Sequence, residues 1–136
     1  MLQRLQLNDR SPGLHEITRQ LDGFVTASGL QEGLCTLFVQ HTSASLLIQE
    51  NADPAVLRDL EAWLGRLVEE GDALFTHVSE GPDDMPAHVK SALLPTSLCI
   101  PVFEGRLQLG TWQGVYLWEH RRRAMERVVL VQLSEA

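Results

Sequence analysis

Lysine is almost missing from this chain. Lys90 is the only one among 136 residues, and the other ten basic residues are arginine, set against 18 acidic residues for a net charge of −7. A binder of nucleic-acid backbones carries a basic field, so that class is disfavoured. Arginine in place of lysine favours planar, bidentate grips on anions. Cysteine is scarce too. Cys35 and Cys99 are the only two, each in an apolar, strand-like run, and with no C-x-x-C pair they make neither a zinc knuckle nor a disulfide framework. Both are expected as buried, reduced thiols. No apolar run approaches the roughly 18 residues of a membrane span, and "MLQRLQLNDR" has no apolar signal core. A soluble, cytoplasmic protein with no membrane partner is expected. Internal repeats, low-complexity tracts and linkers are also absent, so residues 1–136 read as a single domain.

What is present suffices for a core, since 44% of the residues are hydrophobic. "LQRLQL" alternates as a half-buried strand does, and "LHEI" extends a second strand up to Thr18. Thr18 is expected to cap a helix from Arg19 to about Ala27, with Gly29 as its stop. "GLCTLFVQ" and "SASLLIQE" read as partner strands joined through His41-Thr42-Ser43. The clearest helix follows Asp53 and Pro54, with Val56, Leu60, Trp63, Leu64 and Leu67 as its apolar stripe. A short helix over 86–93 comes next, then strand candidates "SLCIPV", "GRLQLG", "QGVYLWEH" and "RVVLVQL". Strands with a few irregularly placed helices predict one compact α+β domain, mostly antiparallel, and not a parallel doubly wound sheet.

The chemistry concentrates in "HVSEGPDDMPAHVKSALL", residues 77 to 94, with a histidine near each end of an acidic turn. His88 lies in the first turn of the 86–93 helix, where the helix dipole opposes protonation and favours a neutral, metal-competent imidazole. Neutral imidazoles from His41, His77 and His88 can form an open zinc-type site. Their spacing matches no general metal motif, and local hydrogen bonding of each ring is the plainer alternative. In "EGPDD" one aspartate serves as a helix cap; Glu80 and the other aspartate are left for a ligand or a base. "QENADP" places Glu50 and Asn51 at a helix mouth, where Asp53 is explained by capping alone. "GTWQG" reads either as a glycine bulge or as a ligand approach with Gln113 as reader. Arg121 to Arg123 are a phosphate grip or a solvated turn.

Taken in order, "HTSASLLIQENADPAVLRDLE", "H..EGPDDMPAHVKSALL", "GRLQLGTWQGVYLWEHR" and "VVLVQL" resemble the YjbQ family over roughly residues 5 to 134. Matching positions are His41, Glu50, Asn51, Asp53, His77, Glu80, Asp83, Asp84, His88, Gln113 and Glu119, with His120 outside the core set. The resemblance implies a compact α+β fold, a homotrimer with sites near subunit boundaries, and a weak thiamine phosphate synthase activity. That reaction joins a pyrimidine methyl diphosphate to a thiazole phosphate and releases diphosphate. It also turns the three histidines from separate caps into one converging site. On this view His41, His77 and His88 hold zinc, or else magnesium. Glu80, Asp84 and Glu119 then orient a ligand or move a proton, and Ser43, Ser45, Asn51, Arg106 and Gln113 position a phosphorylated small molecule. Two rivals stay open: a hydrolase using the same ion, and a ligand-binding or assembly module without turnover.

Overall fold

Periodicity two dominates the chain and builds two antiparallel sheets. The computed structural model describes residues 1–8 and 11–136. The larger sheet contains β1 (Leu2–Leu7), β3 (Glu32–Val39), β5 (Ser97–Phe103), β6 (Arg106–Leu107) and β8 (Arg127–Glu135), in the order β1-β8-β3-β5-β6. The smaller one contains β2 (Gly13–Glu16), β4 (Ala44–Glu50) and β7 (Gln113–Glu119), in the order β2-β7-β4. Three helices complete the domain: α1 (Thr18–Ser28), α2 (Pro54–Leu67) and α3 (Asp84–Leu93). The α+β expectation is met.

Alternation along the strands sets the layers. Cys35, Leu37, Val39, Ile100, Val102, Val129 and Val131 of the larger sheet meet Ala44, Leu46, Val115 and Leu117 of the smaller one, and Leu21 and Val25 of α1 close the same core. The opposite face of the smaller sheet offers Trp118 and Leu47 to Leu64, Val68 and Val89 on the α2 and α3 side. β7 is therefore covered on both faces, which explains why Gly114 to Glu119 are buried without a break.

Several local expectations change. β3 and β4 are not partners: β3 pairs with β5 and β8, whereas β4 pairs with β7. Residues 40–43 form the passage from one sheet to the other, so the two runs face each other across the shared core instead of pairing. Thr18 opens α1 without capping it; Ile17 is the cap residue, and the Thr18 hydroxyl bonds Glu16 and the Val115 N–H instead. The αL stop at Gly29 forms as expected, with φ 74°. "GRLQLG" shrinks to the two-residue β6, and the last short helix starts at Asp84, two residues before 86. Cys99 is exposed while Cys35 is buried. Cys99 sits opposite Thr36, on the outer face of the larger sheet, so the apolar run around it hid a strand with one solvated side. On α2 only Leu64 is buried, and Trp63 and Leu67 are 54% and 56% exposed.

Candidate metal centre

α3 starts where Arg121 can reach it. The Arg121 guanidinium donates to Asp83 Oδ2 at 2.9 Å, to Asp84 Oδ1 at 2.7 Å and to the Glu80 carbonyl at 3.0 Å, tying the acidic turn to the end of β7. Burial alone would raise the Asp83 carboxyl, but the Arg122 N–H and the Arg121 side chain together hold it below the ordinary carboxylate value. Arg121 is raised in turn, chiefly by its hydrogen bond to Asp83.

With Oδ1 taken by Arg121, the second oxygen of the buried Asp84 faces two imidazoles. Asp84 Oδ2 lies 2.8 Å from His77 Nε2 and 3.3 Å from His88 Nε2. Asp84 and His88 are one helical turn apart on α3, while His77 arrives from the preceding loop with its ring centroid 5.5 Å from that of His88. The His88 Nδ1–H donates to the Thr42 carbonyl at 3.1 Å. That bond fixes the tautomer and aims the lone pair on Nε2 at Asp84, the outer arrangement found around metal-ligating histidines. One ligand atom from each of His77, Asp84 and His88 falls within 4.8 Å of the others, so the three can hold a metal ion. Two nitrogens and one carboxylate suit zinc with one tetrahedral position left for substrate. They suit magnesium poorly, since it prefers oxygen ligands.

His41 stands apart from this triad. Its Nε2 accepts the Val128 N–H at 2.8 Å, which leaves the ring proton on Nδ1 and no lone pair for a metal. Burial, then Arg127, lower its pKa. His41 instead forms a wall of a cleft of ≈ 330 Å³ shared with Ser43, Glu80, Asp84, His88 and Arg127. Glu80 is exposed there, and its carboxylate pairs with no cation among the described residues.

Glu119 is engaged elsewhere. It is 1% exposed, and Arg127 Nε donates to its Oε1 at 2.6 Å while Arg127 Nη2 donates to Oε2 at 2.5 Å. The Arg121 N–H adds a bond to Oε2 at 3.0 Å. A carboxylate buried under three such bonds anchors β8 to β7 and is not part of the cleft lining. Ser43 is nearby through its carbonyl, which accepts from Arg127. Ser45 faces the α2 and α3 side, where it meets His120 at 2.9 Å. Asn51 and Gln113 lie at the opposite end of the β4–β7 ladder, beside Glu50, roughly 20 Å away by strand rise. Asn51 Nδ2 bonds Glu16, and Gln113 Oε1 accepts the Gly110 N–H. Arg106 is exposed on the edge strand β6. These three do not join the histidines within the chain. Sequence reasoning passed over Arg127 and read Arg121 only as one of an arginine triplet. The i, i+4 spacing of Asp84 and His88 was the available signal for the true grouping.

His120 has an acid-side consequence. Burial, then Lys90 and Arg127, lower its pKa from 6.5 to about 3. The unfolded chain therefore binds a proton that the native state refuses, and stability falls as the pH drops below 6.5 towards 3, by at most about 5 kcal/mol. Urea denaturation across that range should show a shallower acid slope for His120→Asn than for the native chain.

A two-sheet α+β domain with a His-Asp-His cluster beside an arginine-tied cleft is the class of protein that these observations define. The family model described as "UPF0047 protein YjbQ-like" matches residues 3–136. The UPF0047 protein sll1880 of Synechocystis sp. is 52% identical over 130 residues, covering 96% of this chain and 88% of that protein. The UPF0047 protein YjbQ of Escherichia coli O157:H7 is 43% identical over 131 residues, covering 96% and 94%. Among solved structures, an uncharacterized conserved protein of the yjbq/upf0047 family from Clostridium acetobutylicum superimposes with a TM-score of 0.85 at 35% identity, covering 96% of this chain and 98% of that one. A conserved hypothetical protein from Thermus thermophilus gives 0.83 at 36%, with the same coverage. The chain belongs to the YjbQ/UPF0047 family.

Proposed function

We propose that the chain is a metal-dependent enzyme that takes a phosphorylated, ring-bearing small substrate, with transfer of the thiamine phosphate synthase type as its reaction. The observation that carries this is the convergence of His77 Nε2, His88 Nε2 and Asp84 Oδ2, with the His88 tautomer already set by Thr42. Zinc held there would supply a Lewis-acid centre for a diphosphate oxygen. Such a centre is needed, because Arg121 and Arg127 already face Asp83, Asp84 and Glu119 and have little charge to spare for an anion. Glu80, exposed at the cleft rim, is the group available to take or give a proton. His77 also borders a second, more apolar hollow of ≈ 360 Å³ with Phe75, Val78, Pro82 and Met85, of a kind that accepts a flat heterocycle while its phosphate reaches the histidines.

Product analysis tests the reading. Zinc-loaded protein given a pyrimidine methyl diphosphate and a thiazole phosphate should form the joined compound, and His88→Ala should not. Cleaved phosphate without any joined product would favour the hydrolase, and no turnover of either kind would remove the enzymatic reading. Homotrimer assembly, as the resemblance implies, fits the apolar residues Leu34, Phe38 and Phe103 left 45%, 50% and 49% exposed on the larger sheet. No helix among the described residues is long and apolar enough to cross a membrane.

A further inference from the structure

Glu119 and Arg127 are the most deeply buried charged residues among those described, each 1% exposed, and the proposed chemistry uses neither. Stability alone does not account for them, because a well-packed apolar pair of similar volume is often as stable or more so. What the pair touches leads to the metal centre along two routes. On one side Arg127 Nη2 donates to the Ser43 carbonyl at 3.1 Å. The next residue, Val128, donates its N–H to His41 Nε2 at 2.8 Å and accepts the Gln40 N–H at 3.1 Å. Residues 40, 41 and 43 are thereby fixed to the start of β8, and Thr42 is held between them. Its carbonyl is the acceptor, at 3.1 Å, that sets the His88 tautomer.

On the other side Glu119 Oε2 accepts the Arg121 N–H at 3.0 Å. That bond holds the Arg121 backbone where its guanidinium reaches Asp84 Oδ1 at 2.7 Å, leaving Oδ2 for His77 and His88. The two routes meet in one buried pair, since Arg127 Nε donates to Glu119 Oε1 at 2.6 Å. An arginine suits this position, because its rigid fork spans a carboxylate and a carbonyl at once, which a lysine ammonium does not do in a fixed geometry. We infer that Glu119 and Arg127 are positioning residues of the metal centre, placing the Thr42 carbonyl against His88 and the Arg121 guanidinium against Asp84. This role rests on the metal reading of His77, Asp84 and His88.

Two readouts on the full chain test it: zinc affinity, and the His88 tautomer, read from its ring nitrogen chemical shifts in the metal-free protein at mildly alkaline pH. Glu119→Leu with Arg127→Met keeps the core filled, so it separates alignment from stability. Its zinc affinity should fall by about tenfold or more, and His88 should change from Nδ1–H alone to a mixture of both tautomers. Arg127→Lys, which keeps the charge, should lie between this variant and the native chain in both readouts. Leu21→Ala, a truncation in the core under α1 and outside the cleft, should lower stability and leave both readouts native. The role is overturned by a double variant that keeps native zinc affinity or the native tautomer, or by a Leu21→Ala that shifts both as far. Should the double variant fail to fold, Arg127→Lys decides alone, and a native result in either readout overturns the role. A native chain that takes up no zinc removes the metal reading instead, and the tautomer then decides: Nδ1–H kept without the ion pair overturns the positioning role.

Discussion

Glu119→Ala should cost about 3–5 kcal/mol of folding stability, because it leaves the Arg127 guanidinium buried and unpaired. Both residues are 1% exposed, and Arg127 makes two bonds to Glu119 and a third to the Ser43 carbonyl. Losing the carboxylate also frees the Arg121 N–H at the point where the acidic turn is tied down. Thermal unfolding should register a fall in Tm of at least about 10 °C. Removing both charges at once, as Glu119→Leu with Arg127→Met, should recover much of the loss, since an apolar pair of similar volume avoids burying a lone ion. A Glu119→Ala protein as stable as the native chain would mean that the carboxylate is not an anchor. Its role as a cleft acid or base would then return.

Asp84→Asn should weaken zinc binding by more than the roughly 10–100-fold that loss of an outer partner costs, because a direct ligand is lost. The same change leaves Arg121 with Asp83 as its one carboxylate, so some stability goes with the metal. His77→Ala should lose zinc with less damage to the fold, as His77 is 45% exposed and touches Asp84 alone among the ionic partners. Metal affinity and denaturation measured side by side separate the two effects. Asp84→Asn that keeps native zinc affinity would remove Asp84 from the ligand set.

How much of this was legible beforehand follows from the range over which each force acts. The α2 start, the Gly29 stop and the strand runs were readable because caps and alternation are local signals. The partnership of β4 was not, since its apolar residues would suit either sheet and only the three-dimensional layering separates them. Two of the proposed site residues, His41 and Glu119, illustrate the same limit. His77 and His88 are close in sequence and close in space. His41 looked equivalent, yet its lone pair is spent on the Val128 N–H, a bond made across 87 positions. Glu119 read as chemistry because it is acidic, and Arg127, on the next strand, decides its environment. Trp63 and Leu67 looked like core by periodicity, but α2 rests on the sheet through Leu64 and leaves them outside.

The most direct test is zinc stoichiometry in protein purified without chelator or histidine tag, compared with His88→Ala and His41→Ala. Near one ion per chain is expected in the native protein and in His41→Ala, with His88→Ala empty. Native protein that stays empty after incubation with zinc, or binding that His41→Ala destroys and His88→Ala spares, would contradict the His77–Asp84–His88 centre.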